Sequence, residues 1–324
     1  MIVRSHPLMM NKLSFGIAAA AVLCATLSAR AEGDVPQRRA QHVIVISFDG
    51  GKPAVIAESE MPVFKQLAAE GAHTWVANTI FPPKTLPSHT SMTTGVGPDK
   101  HQILWNDWMP IRGFVKVPTM FSLAKEAGLS TVLFAGKVKF RHLWVKDSLD
   151  EFNFGGKQDG SPVPADQNKA LVPAQGVAKQ AAAYIVANKP DLCFIHFPDA
   201  DSAGHKSGWG SPEQKEAFKV CDQALSQIVK AVKDAGIADS TVIIMSADHG
   251  GHDKNHSDNI PDDMNIPWIA WGAGVNPGCE IKGPVTTFDT AATAIWLLGL
   301  PVPASFDGKP VKEAFAAVAA PKAP

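Results

Sequence analysis

The feature that most constrains this chain is a continuous apolar strand that runs straight into a carboxylate. His42 to Phe48 (HVIVISF) is a β-branched run without a polar face, the pattern of a strand buried on both sides, and Asp49 follows at once. The arrangement recurs twice. Asp191 to Phe197 (DLCFIHF) is followed by Asp199 and Asp201, and Thr241 to Ser246 (TVIIMS) by Asp248 and His249. Ser130 to Ala135 (STVLFA) and the short Pro267 to Trp271 (PWIAW) read as further strands. Helical segments lie between them: Met61 to Glu70 closed by Gly71, Thr119 to Ala127 stopped by Gly128, Pro173 to Asn188, Ser211 to Ala235 with Ser211 as cap, and Thr290 to Leu298. This alternation predicts an α/β fold with a mostly parallel central sheet flanked by helices on both faces. Ligands of such sheets bind at the carboxyl ends of strands, so three strands deliver carboxylates to one edge.

The formal net charge of −1 gives no polyanion-binding signal, and no nucleic-acid groove is expected. Lys12, the Ala-rich apolar run Leu13 to Leu27 and the small-x-small site Ala29-Arg30-Ala31 predict a secretory signal peptide over residues 1–31, cut after Ala31. The expected location is periplasmic or secreted, with no membrane anchor after cleavage. Residues 32–300 then form one catalytic domain, and the Pro- and Ala-rich residues 301–324 a tail with one short helix, Val311 to Val318. The mature cysteines Cys193, Cys221 and Cys279 are too far apart for a disulfide framework or a thiolate metal site.

The candidate ligands at the sheet edge are Asp49, Asp201, His205, Asp248, His249 and either His252 or His256. Three carboxylates without a cation would repel one another, whereas three carboxylates with three imidazoles suit two zinc-type ions. Each motif alone reads equally well as a turn: Asp-Gly and Asp-His-Gly are ordinary turn sequences. Asp201 and His205 share one face if their segment is helical, although Gly204 also permits an irregular turn. The segment Phe81-Pro82-Pro83-Lys84-Thr85-Leu86-Pro87-Ser88-His89 places Thr85 just ahead of a helix expected from near Ser88 to Gly95, where a phosphate is favoured. His89 reads as a structural, hydrogen-bonding histidine.

Thr85-x-Pro-x-His89, Thr94-Gly95-x-x-Pro98, His101, Ile103 and Asn106 together resemble the nucleophile block of nucleotide pyrophosphatase/phosphodiesterases, a branch of the alkaline phosphatase superfamily. Asp49-Gly50, Pro198-Asp199-x-Asp201-x-x-Gly204-His205-x-x-Gly208 and Asp248-His249-Gly250 resemble the other blocks, in the family's order. The resemblance implies an alkaline-phosphatase-like fold. One zinc would be held by Asp49, Asp248, His249 and the nucleophile Thr85, the other by Asp201, His205 and a third histidine. Asn106 would donate to a phosphate oxygen. Ser88 stands where many relatives have Asn. The third histidine of many relatives opens a His-Gly turn much further along; here His256 is followed by Ser257 and lies seven residues after His249. His256 is chosen because it precedes the strand at Pro267, while His252 would crowd His249.

The implied activity is zinc-dependent hydrolysis of small phosphate esters or nucleotides through a phosphothreonine, as a phosphodiesterase or pyrophosphatase. Lys137, Lys139 and Arg141 follow the strand ending at Ala135, and as phosphate-binding residues they would instead favour a phosphomonoesterase. Read without the resemblance, they are a solvated basic loop. A non-catalytic periplasmic binding protein is the remaining alternative. A sulfatase is disfavoured because Thr85-Leu86-Pro87 lacks the Cys or Ser that such enzymes convert.

Overall fold

The computed structural model describes residues 37–154 and 171–317. The signal peptide expected over 1–31 and the last residues of the tail lie outside the described residues. Among the described residues no helix is long and apolar enough to cross a membrane.

Strands β1 (His42–Phe48), β2 (Ala72–Asn78), β3 (Thr131–Ala135), β4 (Glu151–Asn153), β5 (Leu192–Phe197), β6 (Thr241–Ser246), β7 (Asn265–Gly272) and β8 (Cys279–Glu280) form one sheet in the order β4-β3-β5-β1-β6-β7-β2-β8. The stretch from β4 to β6 is parallel, β7 runs antiparallel to its neighbours β6 and β2, and β8 is parallel to β2. The helices are α1 (Pro53–Glu58), α2 (Pro62–Glu70), α3 (Thr85–Thr94), α4 (Pro98–His101), α5 (Met120–Glu126), α6 (Ala174–Asn188), α7 (Asp199–Ser207), α8 (Pro212–Asp234), α9 (Pro261–Met264) and α10 (Asp289–Leu297).

The pleat of β1 shows how the sheet divides its burial. Val43 and Val45 pack with Leu86 and Met92 of α3, Phe121 of α5 and Ile295 of α10. Ile44, Ile46 and Phe48 pack on the opposite face with α1, α2, α6 and α8. Both faces are therefore covered, which is why the strand reads as an uninterrupted apolar run. Ser211 caps α8 by accepting from the Gln214 backbone N–H at 3.2 Å, as its place before Pro212 predicts.

Two expectations are corrected, and a strand joins those expected. The helix expected from near Ser88 begins at Thr85, so Thr85 occupies its first turn rather than preceding it. Pro87 is tolerated there because first-turn N–H groups have no partner within the helix. β2 was not anticipated: its sequence AHTWVAN is partly exposed and lacks the apolar density of the buried strands. The tail helix expected from Val311 is a single 3-10 turn, Lys312–Ala314, and the end of that expected range, Val318, is outside the described residues. Before that turn the chain locks onto α3. The backbone N–H groups of Asp307 and Gly308 donate to the Gly95 carbonyl at 2.9 and 3.0 Å. Gly95 has φ +70°, and a Cβ there would lie 2.2 Å from the Phe306 ring, so the junction requires glycine.

Phe64 of α2 is fully buried, with its ring edge-on to Phe48 of β1 at 5.1 Å. Phe64→Ala removes that contact without touching the sheet edge that carries the polar residues. It is expected to cost about 3–5 kcal/mol in urea denaturation. A loss below about 1 kcal/mol would show that α2 is not anchored to the sheet in this way.

Candidate active site

The register of the parallel strands decides where the site lies. Phe48 pairs with Phe197 across β1 and β5, and Ser47 with Ser246 across β1 and β6. The residues that follow these pairs emerge at one level. Asp49 leaves β1, the segment after Phe197 turns into α7 with Asp201 and His205 one turn apart, and Asp248 and His249 leave β6. Gly50, at φ +74°, allows this convergence. Its N–H donates to Asp248 Oδ1 at 3.0 Å, and a Cβ would sit 3.0 Å from the Asp201 Cα.

Two clusters result. Asp49, Asp248 and His249 form one, and Asp201, His205 and His256 the other, each with one donor atom per residue within 4.8 Å of the rest. All six are sequence-predicted site residues. Four buried atoms in them have no hydrogen-bond partner among the described residues: Asp49 Oδ1, Asp201 Oδ1, Asp248 Oδ2 and His249 Nε2. Buried polar atoms are normally satisfied, and these four face one another. His249 Nε2 lies 3.5 Å from Asp49 Oδ1 and 3.3 Å from Asp248 Oδ2. An atom set of this kind fits a cation in each cluster.

The imidazoles of both clusters are oriented by backbone carbonyls. His249, His205 and His256 each direct Nδ1 at a backbone carbonyl, of Gly250 at 2.9 Å, Lys254 at 3.0 Å and Pro83 at 2.7 Å. Each such bond places the proton on Nδ1 and turns the Nε2 lone pair inward, as ligand histidines require. The Nε2 atoms of His205 and His256 stand 3.0 Å apart, and His249 stacks on His256 at 3.7 Å between centroids. Burial, with His249 beside it, lowers His256 to about 4, so its imidazole is neutral near pH 7. His205 is raised by the adjacent Asp201 carboxylate, whose Oδ1 lies 3.3 Å from its Nε2.

His252 is placed elsewhere. Its Nδ1 bonds Asp263 Oδ1 at 2.7 Å, and its Nε2 lies 3.3 Å from Asp258 Oδ2. Asp263 is fully buried and spends its other oxygen on the Asp258 N–H at 2.8 Å. This third group of His and Asp residues staples the loop after β6 and has its buried donors already used.

The electrostatics demand more positive charge than the side chains supply. Burial and repulsion from Asp49 push Asp248 well above the ordinary carboxylate range. Asp49 is held well below that range in spite of burial, because Lys137 and His196 face it. Lys137 Nζ lies 2.7 Å from Asp49 Oδ2 and 2.5 Å from Asp201 Oδ2. Lys139 is pushed down to about 8 by burial and by Lys137. Arg141 is buried in the 3-10 turn Val138–Leu143.

Thr85 is 1% exposed and begins α3. Its segment is tied to both clusters: the Pro83 carbonyl accepts from His256, and His89 donates to the Thr85 carbonyl at 2.7 Å while lying 3.4 Å from Asp248 Oδ2. The other nitrogen of His89 meets Ser47 Oγ at 2.7 Å, which gives this histidine the hydrogen-bonding place expected of it. Asn106 Oδ1 accepts from the Leu86 N–H at 2.8 Å, which leaves its amide end to donate.

Two residues in contact with the site escaped sequence reasoning. His196 lies within β5 and donates from Nε2 to Asp49 Oδ2 at 2.7 Å, its Nδ1 accepting from the Gly136 N–H. A lone imidazole in an otherwise apolar strand was the available signal. Trp209 packs edge-on to His205 with ring centroids 5.2 Å apart, and donates to the Gly50 carbonyl at 3.2 Å.

The sequence model of the type I phosphodiesterase/nucleotide pyrophosphatase family matches residues 43–273. The chain is 24% identical over 221 residues to a venom phosphodiesterase of Macrovipera lebetinus, a match covering 64% of this chain and 25% of that enzyme. It superposes with TM-score 0.67 and 16% identity on an inactive murine ectonucleotide pyrophosphatase/phosphodiesterase 5 in complex with AMP, covering 85% of this chain and 100% of that one. A 2-O GAG sulfatase superposes with TM-score 0.64 and 18% identity over 84% of this chain and 73% of that one. These two structural likenesses establish the fold alone.

The placement of the two loop histidines predicts unequal effects. His256→Ala is expected to lose about one equivalent of bound divalent metal in elemental analysis, and His252→Ala to retain the parent content. Equal metal content in His256→Ala and the parent would remove His256 from the second cluster.

Proposed function

Because the chain belongs to the type I phosphodiesterase/nucleotide pyrophosphatase family, we propose that it hydrolyses small phosphate diesters or pyrophosphates, nucleotides among them, with Thr85 as nucleophile. The observation that carries this reading is the set of four unpartnered buried donor atoms, divided between two clusters that one segment, Pro83 to His89, reaches together. Asp49, Asp248, His249 and Thr85 would hold one divalent cation, and Asp201, His205 and His256 the other; the mixed carboxylate and imidazole donors favour zinc. Bound ions of this kind supply Lewis acidity: they ease ionisation of the Thr85 hydroxyl and neutralise charge on the phosphate.

The chain's own residues supply the remainder. Thr85 Oγ attacks phosphorus, forming an Oγ–P bond as the bond to the leaving oxygen breaks, and the hydroxyl proton departs with the leaving group. The Asn106 amide donates to a non-bridging oxygen, and the first turn of α3 presents its positive end to the phosphate. Water then attacks the phosphothreonine, the Oγ–P bond breaks, and Thr85 regains its proton. The AMP found in the murine relative supports a nucleotide as one substrate. The Lys12 to Ala31 pattern supports export, to the periplasm or beyond the cell.

One observation favours phosphomonoesters as a second reading. Lys139 is a half-buried cation beside the site that pairs with no carboxylate among the described residues. A dianionic monoester gains more from such a charge than a monoanionic diester does. Paired rates on a p-nitrophenyl monoester and a p-nitrophenyl diester separate the two.

Thr85→Ala is expected to stay folded, keep most of its metal and lose activity by about 10³-fold or more, with Thr85→Ser retaining part. Rapid quenching followed by mass spectrometry should find the adduct on the peptide containing Thr85. A metal-loaded, folded Thr85→Ala enzyme with near-parent turnover would end this mechanism. Chelation is expected to abolish activity, and added zinc to restore it. Full activity in a metal-free preparation would end the two-cation reading.

A further inference from the structure

β3 ends at Ala135, and the next two residues are placed with little freedom. A Cβ on Gly136 would lie 2.4 Å from Pro198, so the backbone here passes hard against the end of β5. The Gly136 N–H bonds His196 Nδ1 at 3.2 Å, and its carbonyl accepts from the Val172 N–H at 2.9 Å. From this anchored point the Lys137 side chain reaches the two carboxylates that belong to different clusters. It takes Oδ2 of Asp49 and Oδ2 of Asp201, and the same Asp49 oxygen also accepts from His196. The oxygens left over are Oδ1 of each carboxylate, both without a hydrogen-bond partner among the described residues. Asp49 Oδ1 faces His249 Nε2 at 3.5 Å, and Asp201 Oδ1 faces His205 Nε2 at 3.3 Å and His256 Nε2 at 3.8 Å.

We propose that Lys137 is a positioning residue: its ammonium ties Asp49 to Asp201, confines each carboxylate to one free oxygen, and thereby keeps two separate cation sites. This inference rests on the reading that both clusters hold cations. A carboxylate free to rotate can offer both oxygens to one ion or bridge two ions. Lys137 occupies the oxygens through which Asp49 and Asp201 would do so. Two of its three N–H groups are spent on carboxylates, so of the two lysines Lys139, which pairs with no carboxylate among the described residues, is the one free to meet the substrate phosphate.

The test uses cobalt(II) as a spectroscopic probe and inorganic phosphate as an inhibitor, on the parent, Lys137→Met, Lys137→Arg and Lys139→Met. Freed carboxylates raise the coordination number, and higher-coordinate cobalt(II) absorbs more weakly in the visible. Lys137→Met is therefore expected to show visible absorption roughly twofold or more below the parent, while Lys137→Arg and Lys139→Met keep the parent spectrum. The inhibition constant for phosphate is expected to change less than about threefold in cobalt-loaded Lys137→Met and to rise more than about tenfold in Lys139→Met. Lys137→Gln replaces Lys137→Met if the latter does not fold. A Lys137→Met protein with the parent spectrum and a phosphate constant raised about tenfold would overturn the proposal and make Lys137 a substrate ligand. A parent that takes up no cobalt or zinc would overturn the cation reading itself, a result distinct from any difference among the variants.

Discussion

The structure depends on burying three carboxylates at one edge of a parallel sheet. Asp49 and Asp248 are fully buried and Asp201 is 4% exposed. Uncompensated, such charges cost far more than a fold can supply, so they are either neutralised or protonated. The side chains compensate partially: Lys137 and His196 serve Asp49, Lys137 serves Asp201, and Asp248 receives backbone N–H groups from Gly50 and His249 on one oxygen. What remains is an inward-facing deficit of positive charge, and it coincides with the atoms that have no partner. The cost of burying the acids and the capacity to hold cations are one property of the sheet edge.

The short spacing between His249 and His256 follows from how their loop is held. Gly250 and Gly251 donate to the carbonyls of Asp263 and Asp262 at 2.8 and 2.7 Å, and a Cβ on Gly250 would lie 2.0 Å from the Asp262 oxygen. His252 and Asn255 pair with each other, and Asp263 draws His252 and the Asp258 N–H to itself. The loop folds back on α9 within seven residues and stacks His256 on His249. The buried Asp263 closes the loop from below, and the seven-residue spacing is enough to bring His256 onto His249.

Much of this was legible in the sequence, for a physical reason. A strand buried on both faces has to be apolar throughout, so Asp49, Asp201 and Asp248 stand out beside β1, β5 and β6, and the parallel register brings them level. The six clustered residues were read from that pattern together with the family spacing. What was not legible depends on side-chain direction. Lys137 reads as part of a basic loop, because nothing local says that its ammonium turns back over two carboxylates. His196 reads as one polar residue in a strand, and Trp209 as one aromatic in a glycine-rich turn. The start of α3 was misplaced because three prolines near Thr85 suggest an extended approach, whereas Pro87 fits the first helical turn.

The likeness to both a phosphodiesterase and a sulfatase shows that the fold does not by itself select the chemistry. Under the function proposed here, selection would fall to the segment that carries Thr85, and that segment is not an independent loop. The Pro83 carbonyl orients His256, and the Thr85 carbonyl orients His89. His89 in turn meets Ser47, two residues before Asp49 on β1, and lies against Asp248. The backbone around Thr85 is therefore part of the hydrogen-bond network that fixes both clusters. A displacement of Thr85 would also turn His256 and unsettle Asp248, and the position of the hydroxyl and the geometry of the two clusters vary as one unit. For the nucleophilic role proposed for Thr85, such a hold would set the hydroxyl in place before substrate arrives and remove a reorganisation cost from the attack.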